Sequence, residues 1–152
     1  MNGPIIRDET ARDYDAVRKF LLLAFGEDSP GRIANDLRRS GDAVLSLVAE
    51  HEGKIAGHIL FSRIEAPLRA LTLAPLGVRP DLQKRGIGSA LIRHGLERAG
   101  KEGWDAVLCS AVPPITEDLV LIRPWPGITT ILTTVRLSWR FCCMTQRREQ
   151  AG

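Results

Sequence analysis

Apolar residues recur along this chain first with a helical period and then with a strand period, and each change of period marks an element. Ile5 to Arg7 is a short apolar start that reads as an edge strand. Tyr14, Val17, Phe20, Leu21 and Ala24 then recur at intervals of three and four residues, which predicts a helix capped by Thr10 or Asp13. Phe25-Gly26-Glu27-Asp28-Ser29-Pro30-Gly31 breaks that pattern, and a second short helix is expected over Arg32 to Arg39, with Ile33 and Leu37 on one face. Ser40-Gly41-Asp42 turns the chain.

From there the period shortens. Val44 to Glu50 and Ile55 to Arg63 read as strands joined by His51-Glu52-Gly53-Lys54, a spacing that predicts an antiparallel hairpin. Leu71 to Val78 is nearly continuous in its apolar character, as expected of a central strand covered on both faces. Arg79-Pro80-Asp81-Leu82 ends it, and a glycine-rich stretch leads into a helical pattern punctuated by Ala90, Leu91, His94, Leu96 and Ala99. After Gly100 to Gly103, Trp104 to Leu108 begins another strand. The order strand, crossover helix, strand makes Leu73–Val78 and Asp105–Leu108 expected parallel neighbours.

Composition narrows the class without naming a function. With 152 residues, 44% hydrophobic and 26% charged, the chain is sized for one globular domain with a real core. The formal charge of +3 comes with no basic run of the kind that binds nucleic acid or a membrane surface. No apolar run approaches the roughly 20 residues of a membrane span, and the first residues lack the pattern of a signal peptide. Cys109, Cys142 and Cys143 do not form a disulfide framework, and with three histidines no zinc spacing arises. A cytoplasmic location, with no metal, no nucleic acid and no membrane as partner, is the expectation.

The chemically informative segment is Gln83-Lys84-Arg85-Gly86-Ile87-Gly88-Ser89. Two glycines one residue apart at a strand-to-helix junction permit close backbone approach. The amides from Arg85 to Ser89, at the positive end of the following helix, suit a diphosphate without a metal. Ser89 adds a hydroxyl, and Lys84 and Arg85 add positive charge at the rim. The alternative is a tight turn with a solvated basic pair. A P-loop is excluded because no Gly-Lys-Ser/Thr follows at its spacing, and a dinucleotide fingerprint because the third glycine is missing.

Gln83-x-x-Gly86-x-Gly88, following Leu73-Ala74-Pro75-Leu76-Gly77-Val78 and Arg79-Pro80, resembles the acetyl-CoA motif of the GNAT superfamily of N-acetyltransferases, in particular small bacterial predicted N-acetyltransferases. The resemblance runs from the N-terminus to about Leu108. It implies an α/β fold with a mixed, mostly antiparallel central sheet flanked by helices, the acyl-CoA N-acyltransferase fold. It implies that the backbone of Leu76, Gly77 and Val78 aligns the acyl carbonyl and pantetheine arm, and that Gln83, Lys84, Arg85, Gly86, Ile87, Gly88 and Ser89 hold the pyrophosphate. The implied reaction is transfer of an acetyl group from acetyl-CoA to a primary amine by direct attack on the thioester. Glu50, His58 and Glu65 are weak candidates for a base, each also readable as structural or solvated; His94 reads as a helix-surface or half-buried residue. Many relatives place an acid tyrosine beyond the fourth strand, whereas the one tyrosine here is Tyr14, in the first helix. Cys109 lacks a downstream histidine to activate it as a nucleophile.

Residues 1–108 therefore read as an N-acetyltransferase-like core, and residues 109–152 as an atypical tail. Pro113, Pro114, Pro124 and Pro126 interrupt it, and Trp139-Arg140-Phe141-Cys142-Cys143-Met144 has no patterned partner. Back-translating Cys109 to Ile122 and reading from the third base of each codon permits Leu-Gly-Gly-Pro-Ala-Tyr-Tyr-Arg-Arg-Phe-Gly-Phe-Asp, which resembles the family's continuation. A shift of reading frame near Leu108–Cys109 accounts for this. The expected consequences are a missing or aberrant C-terminal hairpin and an unpaired sheet edge beside Trp104–Leu108. A catalytically inactive remnant, or a non-catalytic acyl-CoA-binding protein, is then the alternative to an active enzyme; a small nucleotide-binding module is a third class.

Overall fold

The computed structural model describes residues 3–65, 69–110 and 117–121. The elements run β1 (Ile5–Asp8), α1 (Tyr14–Phe25), α2 (Ser29–Ser40), β2 (Ala43–His51), β3 (Lys54–Ile64), β4 (Ala70–Val78), α3 (Ile87–Lys101), β5 (Ala106–Ser110) and β6 (Glu117–Leu121). Among the described residues the strands form one six-stranded sheet in sequence order, antiparallel throughout except for the parallel pair β4–β5.

The β2–β3 hairpin closes through Glu52 (φ 52°) and Gly53 (φ 73°), with His51 opposite Lys54. Two consecutive left-handed residues make the tight turn whose twist matches that of the strands. Helix α1 stops where Gly26 turns left-handed (φ 74°) and its N–H bonds to the Leu22 carbonyl. Before α1, the Thr10 N–H and hydroxyl both donate to the Asp13 carboxylate, at 2.8 and 2.9 Å.

Helix α2 begins earlier than the sequence pattern predicts. Pro30 sits in its first turn, where the missing N–H has no intrahelical partner to lose. Its buried face also differs from the expected one: Ile33 is 52% exposed and Leu37 only half-buried, whereas Pro30, Gly31 and Ala34 are buried. A Cβ at Gly31 would stand 3.1 Å from the Arg18 side chain, so small residues are what let α2 lie against α1.

The sheet is covered on both faces. Helices α1 and α2 bury Val17, Phe20, Leu21, Ala24 and Ala34 against Val48 and Leu60. Helix α3 packs Leu91, Ile92 and Ala99 on the opposite face against Leu47, Ile59, Phe61 and Leu71. Strand β3 is the most enclosed, buried continuously from Ala56 to Ser62, while β4 has half-buried positions at Thr72, Ala74 and Leu76. Gly95 of α3 lies over Phe61, where a Cβ would come within 2.3 Å of the ring.

The expected parallel pairing of β4 and β5 is present, in the register Ala70–Leu73 against Ala106–Cys109 and so nearer the start of β4 than the expected bounds. Against β3, β4 carries one extra residue, since Ile59 pairs with Leu76 and Phe61 with Leu73. The expected unpaired edge beside β5 is corrected: the backbone of β6 pairs antiparallel with β5 from Ala106 opposite Leu121 to Ser110 opposite Glu117. The features read from residues 122–152, including Trp139 to Met144, lie outside the described residues.

Candidate functional site

The candidate site lies at the far end of β4. Parallel pairing with β5 is described from Ala70 to Leu73, and Leu76, Gly77 and Val78 pair with β3. The glycine-rich loop leaves from this same end. Pro80–Leu82 form one 3-10 turn, Gln83 is extended, Lys84 is left-handed (φ 64°), and Gly86 (φ 84°) caps α3. The Gln83 side-chain amide donates to the Val78 carbonyl at 3.2 Å, folding the loop back onto the strand.

Ile87 anchors the loop in the α3-side core, and Gly88 is buried beside it. Lys84, Arg85 and Gly86 are exposed, and the space a Cβ would take at Gly86 is open. The backbone N–H of Ala90 donates to the Gly86 carbonyl at 2.9 Å, so the amides of Ile87, Gly88 and Ser89 precede the first intrahelical donor. Donors ahead of a helix N-terminus, with open space and two cations at the rim, suit a phosphate-bearing ligand. Among the described residues no group of histidines, cysteines and carboxylates is placed to hold a metal ion. Also among them, no helix is long and apolar enough to cross a membrane.

Of the strand residues singled out with the loop, Leu76 is half-buried and packs toward α3. Gly77 faces α1: a Cβ there would stand 3.2 Å from the rings of both Phe20 and Phe25. Val78 is buried in the α3-side core.

The ionisable candidates are placed apart from one another. Glu50, at the end of β2, accepts from Arg7 Nε at 3.1 Å, and the same guanidinium grips Asp13 through Nη1 and Nη2 at 2.8 and 2.9 Å. The Arg7 charge holds the Asp13 carboxyl well below the usual carboxylate range. Glu65 is exposed just beyond β3, and His94 is exposed on α3. Tyr14 lies at the start of α1 with Arg38 stacked 4.3 Å above its ring. The backbone of Cys109 pairs opposite Leu73.

His58 is completely buried on the α1–α2 face of β3, opposite Gly77 of β4. It belongs to a polar network that the periodicity did not reveal. Glu9, 2% exposed, pairs with Arg38 through both oxygens. The Ser46 hydroxyl donates to Glu9 Oε2 at 2.7 Å and lies 3.1 Å from His58 Nε2, which is 3.4 Å from Glu9 Oε1. Because the one Ser46 proton goes to Glu9, His58 Nε2 carries a hydrogen toward the serine oxygen. That leaves Nδ1 an acceptor, buried and without a partner among the described residues.

Burial holds the His58 pKa below its ordinary value, partly offset by Glu9, so the ring is neutral near pH 7. Burial alone would raise Glu9, but hydrogen bonding to His58 and Ser46 and the Arg38 charge outweigh it and leave the carboxyl lowered. A serine, a histidine and a carboxylate meet here, yet not as a hydrolytic relay: serine and carboxylate share one ring nitrogen and the other has no carboxylate. A signal was present in Ser46, a hydroxyl inside the apolar run Val44 to Ala49. Its partners Glu9 and Arg38 lie too far along the chain for a periodicity to connect them.

Known proteins resemble this chain in sequence and fold. The uncharacterized N-acetyltransferase YjhQ of Escherichia coli K12 is 37% identical over 103 residues, covering 62% of this chain and 56% of YjhQ. The uncharacterized N-acetyltransferase YhbS of the same organism is 29% identical over 115 residues, covering 73% of this chain and 69% of YhbS. The chain thus spans little more than half of one relative and about two thirds of the other. The crystal structure of Escherichia coli YhbS in complex with CoA superposes with a TM-score of 0.70 at 28% identity, covering 75% of this chain and 66% of that one. A GNAT-family acetyltransferase from Brucella melitensis, in complex with acetyl-CoA, gives 0.72 at 27% identity, covering 82% and 91%. Residues 9–114, from the buried Glu9 to beyond β5 and including the whole glycine-rich loop, match the acetyltransferase (GNAT) family, and the chain belongs to that family.

Proposed function

We propose that this protein binds acetyl-CoA and transfers its acetyl group to a primary amine. The observation that carries the reading is the loop at the end of β4, which presents helix N-terminal amides to open space beside the exposed Lys84 and Arg85. In this reading the amides of Arg85 to Ser89 take the pyrophosphate, with Gln83 and Lys84 at its margin. The pantetheine arm runs along Leu76, Gly77 and Val78. The crystal structures of YhbS with CoA and of the Brucella melitensis protein with acetyl-CoA support the choice of ligand.

The chemistry is direct. A neutral amine attacks the thioester carbonyl, the C–N bond forms as the C–S bond breaks, and the thiolate of CoA leaves and takes a proton. Glu50 and Glu65 are the solvent-reachable carboxylates among the candidate bases, and His58 reaches the site only through its neighbour Gly77. The test is calorimetric titration with acetyl-CoA, followed by thiol release with polyamine, amino-acid and peptide acceptors. Failure of ATP and NAD to compete, with micromolar acetyl-CoA binding, supports the reading; equal competition by ATP overturns it.

A second reading, donor binding without turnover, is favoured by one observation: the family match stops at residue 114. On this account residues from about Cys109 derive from a shifted reading frame, and the tyrosine-bearing continuation is absent from the chain. Sequencing codons 105 to 125 from an independent clone decides it. An added or missing base supports the shift, and an unaltered frame removes it.

A further inference from the structure

A second cleft, of about 480 Å3, opens on the α1 side of the sheet, where the β2–β3 turn meets the end of β4. Lys19, Phe20 and Leu23 of α1 line one wall, and Lys54, Ile55 and Arg79 line the strand side. None of Gln83 to Ser89 lines it. Helix α1 closes against β4 beside it, since the Phe20 ring stands 3.2 Å from where a Gly77 Cβ would be.

The charges in this cleft are unevenly satisfied. Its two carboxylates, Asp13 and Glu50, are both committed to Arg7. Arg79 is bound to the exposed Asp81 at 2.7 and 3.1 Å. Lys19 and Lys54 are exposed and have no ion-pair partner among the described residues. Arg7 offsets one of the two carboxylate charges, and with Lys19 and Lys54 unpaired the lining keeps a net positive charge. Phe20, Leu23 and Ile55 supply an apolar part of the same lining, and Leu23 is 66% exposed despite its size. A cavity of this volume with an apolar wall and a few convergent charges has the make-up of a small-molecule site.

We propose that this cleft binds a small organic carboxylate with an apolar body, its charge between Lys19 and Lys54 and its body against Phe20, Leu23 and Ile55. The site is separate from the glycine-rich loop and independent of acetyl-CoA.

The test is a titration of the full chain with benzoate, with benzyl alcohol as the uncharged control, followed by amide chemical shifts and calorimetry. Millimolar benzoate binding is expected, with shifts at Lys19, Lys54 and Ile55 and no response to benzyl alcohol. Lys19→Glu/Lys54→Glu should weaken benzoate at least tenfold and leave acetyl-CoA affinity within twofold. Lys19→Gln/Lys54→Gln serves as the milder version should the double reversal disturb the fold. Absence of benzoate binding, equal binding to either double variant, or displacement of benzoate by CoA overturns the proposal. Since neither lysine belongs to the glycine-rich loop, loss of benzoate binding with acetyl-CoA binding retained leaves the donor reading intact. The reverse outcome removes that reading and keeps this one.

Discussion

The glycine-rich loop and the Glu9–Arg38–Ser46–His58 network lie on opposite faces of the same sheet and are built in opposite ways. The loop is made of backbone: Lys84 and Gly86 are left-handed, the side chains at the rim are exposed, and the donors are amides that α3 does not use. The network is made of side chains: Glu9, Arg38 and His58 are shut in beneath α1 and α2, and their partners come from four different segments. A backbone site tolerates changes of side chain and fails when a dihedral is forbidden. A buried ionic site fails when one partner is removed, because the remaining charge has no water to turn to. The proposed binding site is of the first kind, and the buried network is of the second.

The largest expected effect comes from breaking the network. Glu9→Ala leaves Arg38, whose side chain is 10% exposed, without its carboxylate, and should cost about 3 kcal/mol. Urea unfolding measures it, and a loss below about 1 kcal/mol would mean that Arg38 swings out to solvent. Next is the loop. Gly86→Val places a β-branched residue at φ 84°, where even an ordinary side chain costs about 1–2 kcal/mol. Acetyl-CoA affinity should fall at least tenfold by calorimetry while the unfolding transition remains cooperative; unchanged affinity would move the donor site elsewhere.

An intermediate effect concerns pH. Burial holds folded His58 below its ordinary value of 6.5, so between that value and its lowered folded value the unfolded chain binds the extra proton. Stability is therefore full above pH 6.5 and declines as pH falls, with a slope approaching about 1.4 kcal/mol per pH unit. The lowered Glu9 carboxyl adds a further loss below its ordinary 4.5. Unfolding midpoints from pH 8 to pH 5 should show the decline, and His58→Gln should flatten the part between pH 6.5 and 5. An equal slope in both proteins would assign the proton to another group. The smallest effect is a gain: Lys84→Gly relieves a left-handed lysine (φ 64°) and should stabilise by about 0.5–1 kcal/mol. A melting temperature that does not rise would show the lysine to be held at no cost.

The sequence was most legible where one local rule acts alone. The β2–β3 turn followed from a glycine between two apolar runs, and α1 from its three-and-four spacing, with Val17, Phe20, Leu21 and Ala24 buried as that spacing requires. The glycine-rich loop followed from two glycines at a strand–helix junction. Legibility failed where small residues do the packing. Gly31 and Ala34 carry no hydrophobic signal, so Ile33 was assigned to a face it does not bury. It failed again at β4, where a one-residue irregularity between Leu73 and Leu76 is invisible to a period-two pattern.

Local sequence determined which segments are helices and strands, where the chain turns, and which loop presents its amides, because each depends on neighbours within a turn of helix or a strand pair. Tertiary structure alone decided that Glu9 meets Arg38 and His58, that β4 carries an extra residue against β3, and that Lys19 and Lys54 line one cleft with Asp13 and Glu50. Those outcomes turn on register and helix approach, which are set by packing between segments far apart in the chain, where no local period can record them.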